Sequence, residues 1–166
     1  VTLPFRIELL DTQHDRVSFD CGTPALDKYF REQVTQDVRR RVTACYVLVQ
    51  SASGSVCGFY TIAAASLAIT GLPPALAKQL PRYPALPVAK VGRLAISLQF
   101  QGQRLGGALM ADAAHRAIRS EIGIFALVVD AKTNAASSFY ERLGFVPLDG
   151  PGRQLVQPLK NLAKLL

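Results

Sequence analysis

Two hydrophobic periods alternate along this chain, and they divide it into strands and helices. "FRIELL" (5–10) predicts a first strand. In "FDCGTPALDKYFREQVTQDVRR" the apolar residues Leu26, Phe30, Val34 and Val38 recur every four positions, which predicts a helix with one buried face. Thr23 can cap that helix, and Pro24 suits its first position. "VTACYVLVQ" (42–50) and "VCGFYTIAAASLAI" (56–69) are β-rich and joined by "SASGS", a hairpin signal. "GLPPALAKQLPRYPALP" (71–87) carries five of the ten prolines and predicts a loop or lid around a short helix. "VAKVGRLAI" (88–96) predicts a strand, and a helix follows from Leu105 with Leu105, Leu109, Ala113 and Ala117 four apart. "IFALVVDA" (124–131) is continuously apolar, as a strand buried on both faces must be. "AASSFYERL" reads as a short helix, and "GFVPL" and "RQLVQPL" as two closing strands. The tail "LKNLAKLL" predicts a short amphipathic element for packing or dimer contact. With no repeat and no linker, the pattern is mixed α/β in a single domain, 1–166.

Composition narrows the classes. The chain is 166 residues long with 49% hydrophobic and 19% charged residues, enough to bury a core and too apolar for a disordered chain. No apolar run approaches the ~18 residues of a membrane span, and no signal peptide is visible, so no membrane partner is expected. Cys21, Cys45 and Cys57 are widely spaced and odd in number, and His14 and His115 are the sole histidines. That excludes a disulfide framework, makes a metal site unexpected and fits the reducing cytoplasm.

Charge changes the picture further. The net charge is +7, and no carboxylate side chain occurs between Asp37 and Asp112. Arg39, Arg40, Arg41, Lys78, Arg82, Lys90, Arg93 and Arg104 fall in that interval. Such a field favours an anionic partner.

The candidate chemistry centres on "GRLAISLQFQGQRLGGALM" (92–110), where a strand meets a glycine-bearing turn and then a helix. Backbone N–H groups converge at a helix N-terminus, and the helix dipole adds about half a positive charge, so this arrangement binds anions. The alternative is a plain strand-to-helix turn without a ligand. There is no GK[ST], and Gly102, Gly106 and Gly107 do not space as G-x-G-x-x-G, so neither a P-loop nor a dinucleotide fingerprint is present.

"FQGQRLGGALM" resembles the pyrophosphate-binding Q/R-x-x-G-x-G/A motif of the GNAT superfamily of N-acetyltransferases. Gln101 and Gly106 match its first and last positions, while Arg104 stands where the middle glycine is usual. "AASSFYERLGFVPL" is similar to the superfamily's late helix and following strand. "FDCGTPALDKYFREQVTQD", "GFYTIAAASL", "VGRLAI" and "LVQPL" resemble the GNAT-type toxins of bacterial toxin–antitoxin pairs, the TacT and AtaT group. The resemblance covers nearly the whole chain. It implies a mixed, mostly antiparallel sheet with helices on both faces and a splayed central strand pair. It also implies acetyl-CoA as donor, aminoacyl-tRNA as acceptor, a ribbon-helix-helix antitoxin as partner, and a homodimer.

Residue roles follow from that resemblance. Gln101, Gly102, Gln103, Arg104, Leu105, Gly106, Gly107 and Ala108 would contact the coenzyme pyrophosphate. Leu94, Ala95 and Ile96 would contact it through the main chain. Asn134 would either touch the coenzyme or cap a helix. Tyr140 matches the superfamily tyrosine near the coenzyme sulfur and would be the general acid; the alternative is a packing tyrosine. Arg39, Arg40, Arg41, Arg82, Lys90 and Arg93 would meet tRNA phosphates, although the arginine triplet also suits a solvated helix end. No carboxylate base is in view. An α-amine, with a pKa of ~7.7–8.0, needs less help losing a proton than a lysine amine at ~10.4. A small amine or a protein N-terminus is the alternative acceptor. A GNAT fold that binds without turnover is a third reading.

Overall fold

The computed structural model describes residues 3–80, 83–150 and 152–163. Seven strands pair in the order β1-β2-β3-β4-β5-β7-β6. They are β1 (Phe5–Leu9), β2 (Ala44–Gln50), β3 (Val56–Ala68), β4 (Ala85–Ile96), β5 (Ala126–Asp130), β6 (Val146–Pro147) and β7 (Gln154–Pro158). The ladders β1–β2, β2–β3, β5–β7 and β6–β7 are antiparallel, and β4–β5 is parallel. The helices are α1 (Pro24–Lys28), α2 (Val34–Arg39), α3 (Pro74–Ala77), α4 (Leu105–Ile118), α5 (Asn134–Arg142) and α6 (Leu159–Leu162). The chain forms two compact units, 1–63 with 92–112 and 64–91 with 113–166.

In the first unit the predicted helix is present, but it is not uniform. A π-helical turn, Tyr29–Gln33, separates α1 from α2, and the Val34 N–H reaches back five residues to the Tyr29 carbonyl. Phe30 and Val34 are fully buried, with Leu26 and Val38 packed beside them, so the four-residue stripe does face the core. Phe30 stacks on Phe59 of β3 (centroids 4.2 Å apart, planes at 7°), and Phe19 meets both rings edge-on. Val47, Val49 and Ala95 complete this face of the strands. The opposite face looks toward α4: the buried Tyr60 hydroxyl donates to Asp112 (2.6 Å). A Cβ added at Gly58 would lie 2.8 Å from the Ala95 carbonyl and 3.5 Å from Leu109. Strand alternation therefore splits β4 into two sets: Arg93 and Ala95 point toward α1 and α2, and Ile96 points toward α4.

The helix closes with Arg41 at φ +62°. Arg41 N–H bonds the Val38 carbonyl (3.0 Å) and Val42 N–H the Asp37 carbonyl (3.1 Å), the paired bonds of a Schellman ending. An arginine in this left-handed position is uncommon for a residue with a Cβ.

In the second unit β5 is buried along both faces, as its apolar run predicts. Leu72, Leu86, Val88, Ala126, Val128 and Val156 form its core. The proline-rich segment is mostly irregular around α3, as expected, but it is not a loose lid. Leu72 is 4% exposed, and Leu76, Ala77 and Leu80 pack on the same cluster. Strand β4 also starts three residues before the predicted Val88, at Ala85, and Pro84 accepts a bond from Ile69 N–H (3.3 Å). The β4–β5 rungs run from Val88–Ala126 to Val91–Val129, and β4 then continues from Gly92 to Ile96 beyond them. In the tail the described residues form the short α6, and 164–166 lie outside the described residues. Among the described residues no helix is long and apolar enough to cross a membrane.

Candidate active site

The glycine turn sits in the first unit, between β4 and α4. Gly102 has φ +83° and Arg104 has φ +62°. The left-handed backbone at position 104 explains why a glycine is usual there: a Cβ costs roughly 1–2 kcal/mol in that region. Ala108 N–H is the first helical amide to reach back, to the Arg104 carbonyl (3.4 Å). Among the described residues the amides from Gly102 to Gly107 have no such acceptor, as expected at a helix start. A Cβ at Gly102 or Gly107 would meet nothing within 4 Å, so open space lies over the turn. Gly102, Gln103, Arg104 and Ala108 are exposed, while Leu105 is buried and anchors the helix. Free amides, open space and the Arg104 cation fit a pyrophosphate.

Arg104→Gly separates the two duties of this position. Relief of the left-handed strain gains roughly 1–2 kcal/mol, and the added freedom of glycine in the unfolded chain costs roughly 0.5–1. The melting temperature therefore rises by a few degrees at most, by about 2–4 °C per kcal/mol for a chain of this size. Acetyl-CoA affinity falls if the guanidinium meets phosphate; calorimetry with unchanged affinity would restrict Arg104 to a backbone role.

Gln101 does something the sequence did not disclose. Its side-chain amide donates to the carbonyls of Cys21 (3.0 Å) and Ile96 (2.9 Å). Cys21 N–H in turn donates to the Asp27 carboxylate (2.8 Å), which is 3% exposed. Gln101 thus ties the turn to the end of β4 and, through Cys21 and Asp27, to α1. Asp27 was missed because a buried carboxylate serving a loop amide leaves no periodic signal.

Two further carboxylates flank the acid-free interval, and each is already committed. Asp112 accepts from Tyr60, and Asp37 accepts from the Tyr29 hydroxyl (2.8 Å). Burial raises the Tyr29 hydroxyl well above the ordinary tyrosine value, with Asp37 adding to the rise. The Arg93 guanidinium lies 3.6 Å from the centroid of the Tyr29 ring.

The predicted cationic residues therefore differ in availability. Arg39, Arg40 and Arg41 are exposed and have no carboxylate within ion-pair distance among the described residues. Arg93 is half-buried against Tyr29. Lys90, in the second unit, is held by Asp130 (3.1 Å) and is not a free phosphate ligand. Arg82 lies outside the described residues. Leu94 and Ile96 are half-buried and Ala95 is 5% exposed, so their side chains are largely core.

Tyr140 lies in the second unit on α5. Its ring is 5% exposed, wedged against Phe139 and Phe145 (centroids 5.1 and 5.7 Å). Its hydroxyl makes no hydrogen bond among the described residues. Burial, with a contribution from Asp130, pushes its pKa up to about 12. Asn134 does not cap α5. Thr133 does, its hydroxyl accepting from Ala136 N–H (3.1 Å), and Asn134 Oδ1 instead accepts from Arg153 (2.8 Å). Thr133 is the better cap because its extended backbone aims the hydroxyl at the third helical amide. Among the described residues no group of three His, Cys, Asp or Glu could hold a metal ion.

The Acetyltransferase (GNAT) domain family matches residues 27–155. A probable TacT toxin of Sinorhizobium fredii is 26% identical over 96% of this chain and 94% of its own. A tRNA-acetylating toxin of Mycobacterium tuberculosis is 32% identical over 79% of this chain and 78% of its own. AtaT complexed with acetyl-methionyl-tRNAfMet aligns with a TM-score of 0.87 and 31% identity, covering 97% of this chain and 98% of that one. Similar folds also include AtaTR bound with AcCoA and AtaT bound to the C-terminus of the antitoxin AtaR. A family match across most of the chain, joined to an open glycine turn with free amides, makes this protein a member of the GNAT acetyltransferases.

Proposed function

We propose that this protein is the toxin of a toxin–antitoxin pair that transfers acetyl from acetyl-CoA to the α-amino group of aminoacyl-tRNA and so blocks translation. The observation that carries the acceptor is the commitment of Asp37 and Asp112 to tyrosine hydroxyls. Between them the chain has no carboxylate, so this stretch offers no free carboxylate base. A low-pKa α-amine suits such a site; a lysine amine does not. The exposed Arg39–Arg41 end of α2 supplies cations for phosphate. The tRNA-acetylating relative and the tRNA-bound AtaT support the same acceptor. The antitoxin-bound AtaT supports an antitoxin partner, which we take to be of the ribbon-helix-helix type. We further take the protein to be a cytoplasmic homodimer, with both compact units in one catalytic domain.

The residues divide the work. The amides of Gly102 to Gly107 and the Arg104 guanidinium hold the pyrophosphate, with Ala108 beside them. Main-chain groups of Leu94, Ala95 and Ile96 hold the thioester, where β4 has passed its last rung with β5. As the amine attacks, the N–C bond forms, the C–S bond breaks and water takes the amine proton. Tyr140 donates to the departing sulfur. With the Tyr140 pKa near 12, full proton transfer to a thiolate of pKa ~8.5 is uphill. Its part is thus a strong hydrogen bond, with solvent completing the protonation. Asn134 is occupied by Arg153, which leaves its amide nitrogen as the group able to reach coenzyme.

Labelled acetyl-CoA offered with charged tRNA, uncharged tRNA and a panel of polyamines tests this reading. Label is expected on the aminoacyl end alone, released as an N-acetyl amino acid on nuclease and alkaline digestion. Label on polyamines with none on charged tRNA would replace this acceptor by a small amine.

A further inference from the structure

We infer that Arg93, laid flat on Tyr29, is a stacking platform for a nucleobase at the 3′ end of the acceptor tRNA. The inference rests on the aminoacyl-tRNA reading and adds how the acceptor end is held.

Three contacts fix the stack of Arg93 on Tyr29. It lies 3.6 Å from the Tyr29 centroid, within face-on cation–aromatic contact. The ring beneath is pinned because its hydroxyl donates to Asp37 (2.8 Å). The strand carrying Arg93 is pinned because its backbone N–H donates to the hydroxyl of Thr61 (3.1 Å), a residue 2% exposed. Tyr29 itself begins the π-helical turn, an irregularity that often marks a functional position. Such a turn changes the direction in which the helix presents its side chains, and here it delivers a tyrosine that is 6% exposed.

Among the described residues no carboxylate lies within ion-pair distance of Arg93, and Asp37 is bound to the tyrosine hydroxyl instead. One guanidinium face lies on Tyr29, and Arg93 is not fully buried. The opposite face of this planar cation is the one we assign to a base, which stacks on guanidinium as on an aromatic ring. The guanidinium edge still offers N–H donors to a base carbonyl or a phosphate. A lysine could serve a phosphate as a point charge but presents no plane.

Position favours the acceptor over the coenzyme. Arg93 points to the face of β4 covered by α1 and α2, whereas the glycine turn opens α4 on the opposite face, toward which Ile96 points. The platform also shares its helix with the free cations, since Asp37 lies in α2 and Arg39 to Arg41 close it.

The test uses the full-length protein, an RNA minihelix ending in ACCA with 2-aminopurine at the terminal position, and charged tRNA. Stacking on Arg93 quenches the 2-aminopurine. In Arg93→Lys the quench is expected to disappear and the KM for charged tRNA to rise about tenfold or more. Acetyl-CoA affinity and the salt dependence of RNA binding should stay as in the wild type, because the charge is kept. Arg93→Gln keeps a plane without the charge: it should retain part of the quench while the salt slope falls by about one ion. It also serves if Arg93→Lys fails to fold. Full quenching and an unchanged KM in Arg93→Lys would overturn the platform, as would a loss confined to acetyl-CoA binding. If the wild type quenches the minihelix but does not acetylate charged tRNA, the acceptor reading fails while the platform survives.

Discussion

Tyr140→Phe is expected to lower turnover by roughly 10²–10⁴ and to leave acetyl-CoA affinity unchanged. The ring is buried and wedged between Phe139 and Phe145, so phenylalanine keeps the packing and removes the hydroxyl alone. No partner among the described residues loses a bond, so the fold bears no cost. In the proposed mechanism what disappears is the donor to the departing sulfur, an interaction made chiefly in the transition state, so kcat should fall without KM. The pH profile is a second readout. Burial holds Tyr140 protonated until about pH 12, above the ordinary ~10, so the wild-type rate should not fall as pH passes 10. It should rise through the α-amine pKa, below ~8, and then stay level. Near-normal turnover in the variant, or an alkaline fall near pH 10, would return Tyr140 to a packing role.

Gly106→Asp is expected to abolish measurable acetyl-CoA binding while the protein keeps its melting temperature. Gly106 is the second residue of α4, in the first turn. An aspartate in the first helical turn favours the helix dipole by about 0.3–1 kcal/mol and removes the backbone freedom of a glycine, two local effects that both favour the fold. In the proposed site the same carboxylate would face the pyrophosphate. One pair of unit charges ~5 Å apart at an effective dielectric near 20 repels by roughly 3 kcal/mol, about a hundredfold in affinity, and the pyrophosphate carries more than one charge. The stabilising and repulsive effects have opposite signs, so calorimetry and thermal melting together separate them. Retained binding at wild-type strength would detach the turn from the coenzyme.

Much of the frame is legible without coordinates, because it depends on neighbours in sequence. The four-residue stripe from Leu26 to Val38 and the continuous run of β5 state which faces are buried. The turn 101–107 is legible because a strand, glycines and a helix start occur in immediate succession. The arginine triplet is legible as a helix end. Its left-handed Arg41 is not, since nothing local requires a residue with a Cβ to adopt φ +62°. The cap of α5 is misplaced by one residue, because Thr133 and Asn134 are both good caps and only the backbone direction separates them.

Side-chain commitments are the part that sequence does not reach. Lys90 and Arg93 have the same formal charge in the sequence. The fold spends one on Asp130 and lays the other on Tyr29, since each partner is decided by which strand or helix comes alongside. Gln101, expected at the coenzyme, also braces the carbonyls of Cys21 and Ile96. Asp37 and Asp112, which bound the carboxylate-free stretch, are acceptors for tyrosines 8 and 52 residues away. The sequence by itself determined the order of elements, the glycine turn that opens α4 and the basic, carboxylate-free stretch, because these follow from local periodicity, local backbone chemistry and composition. Only the tertiary structure decided which charges stay free, because a charge is satisfied by whatever group packing brings within about 3 Å, whatever its distance along the chain.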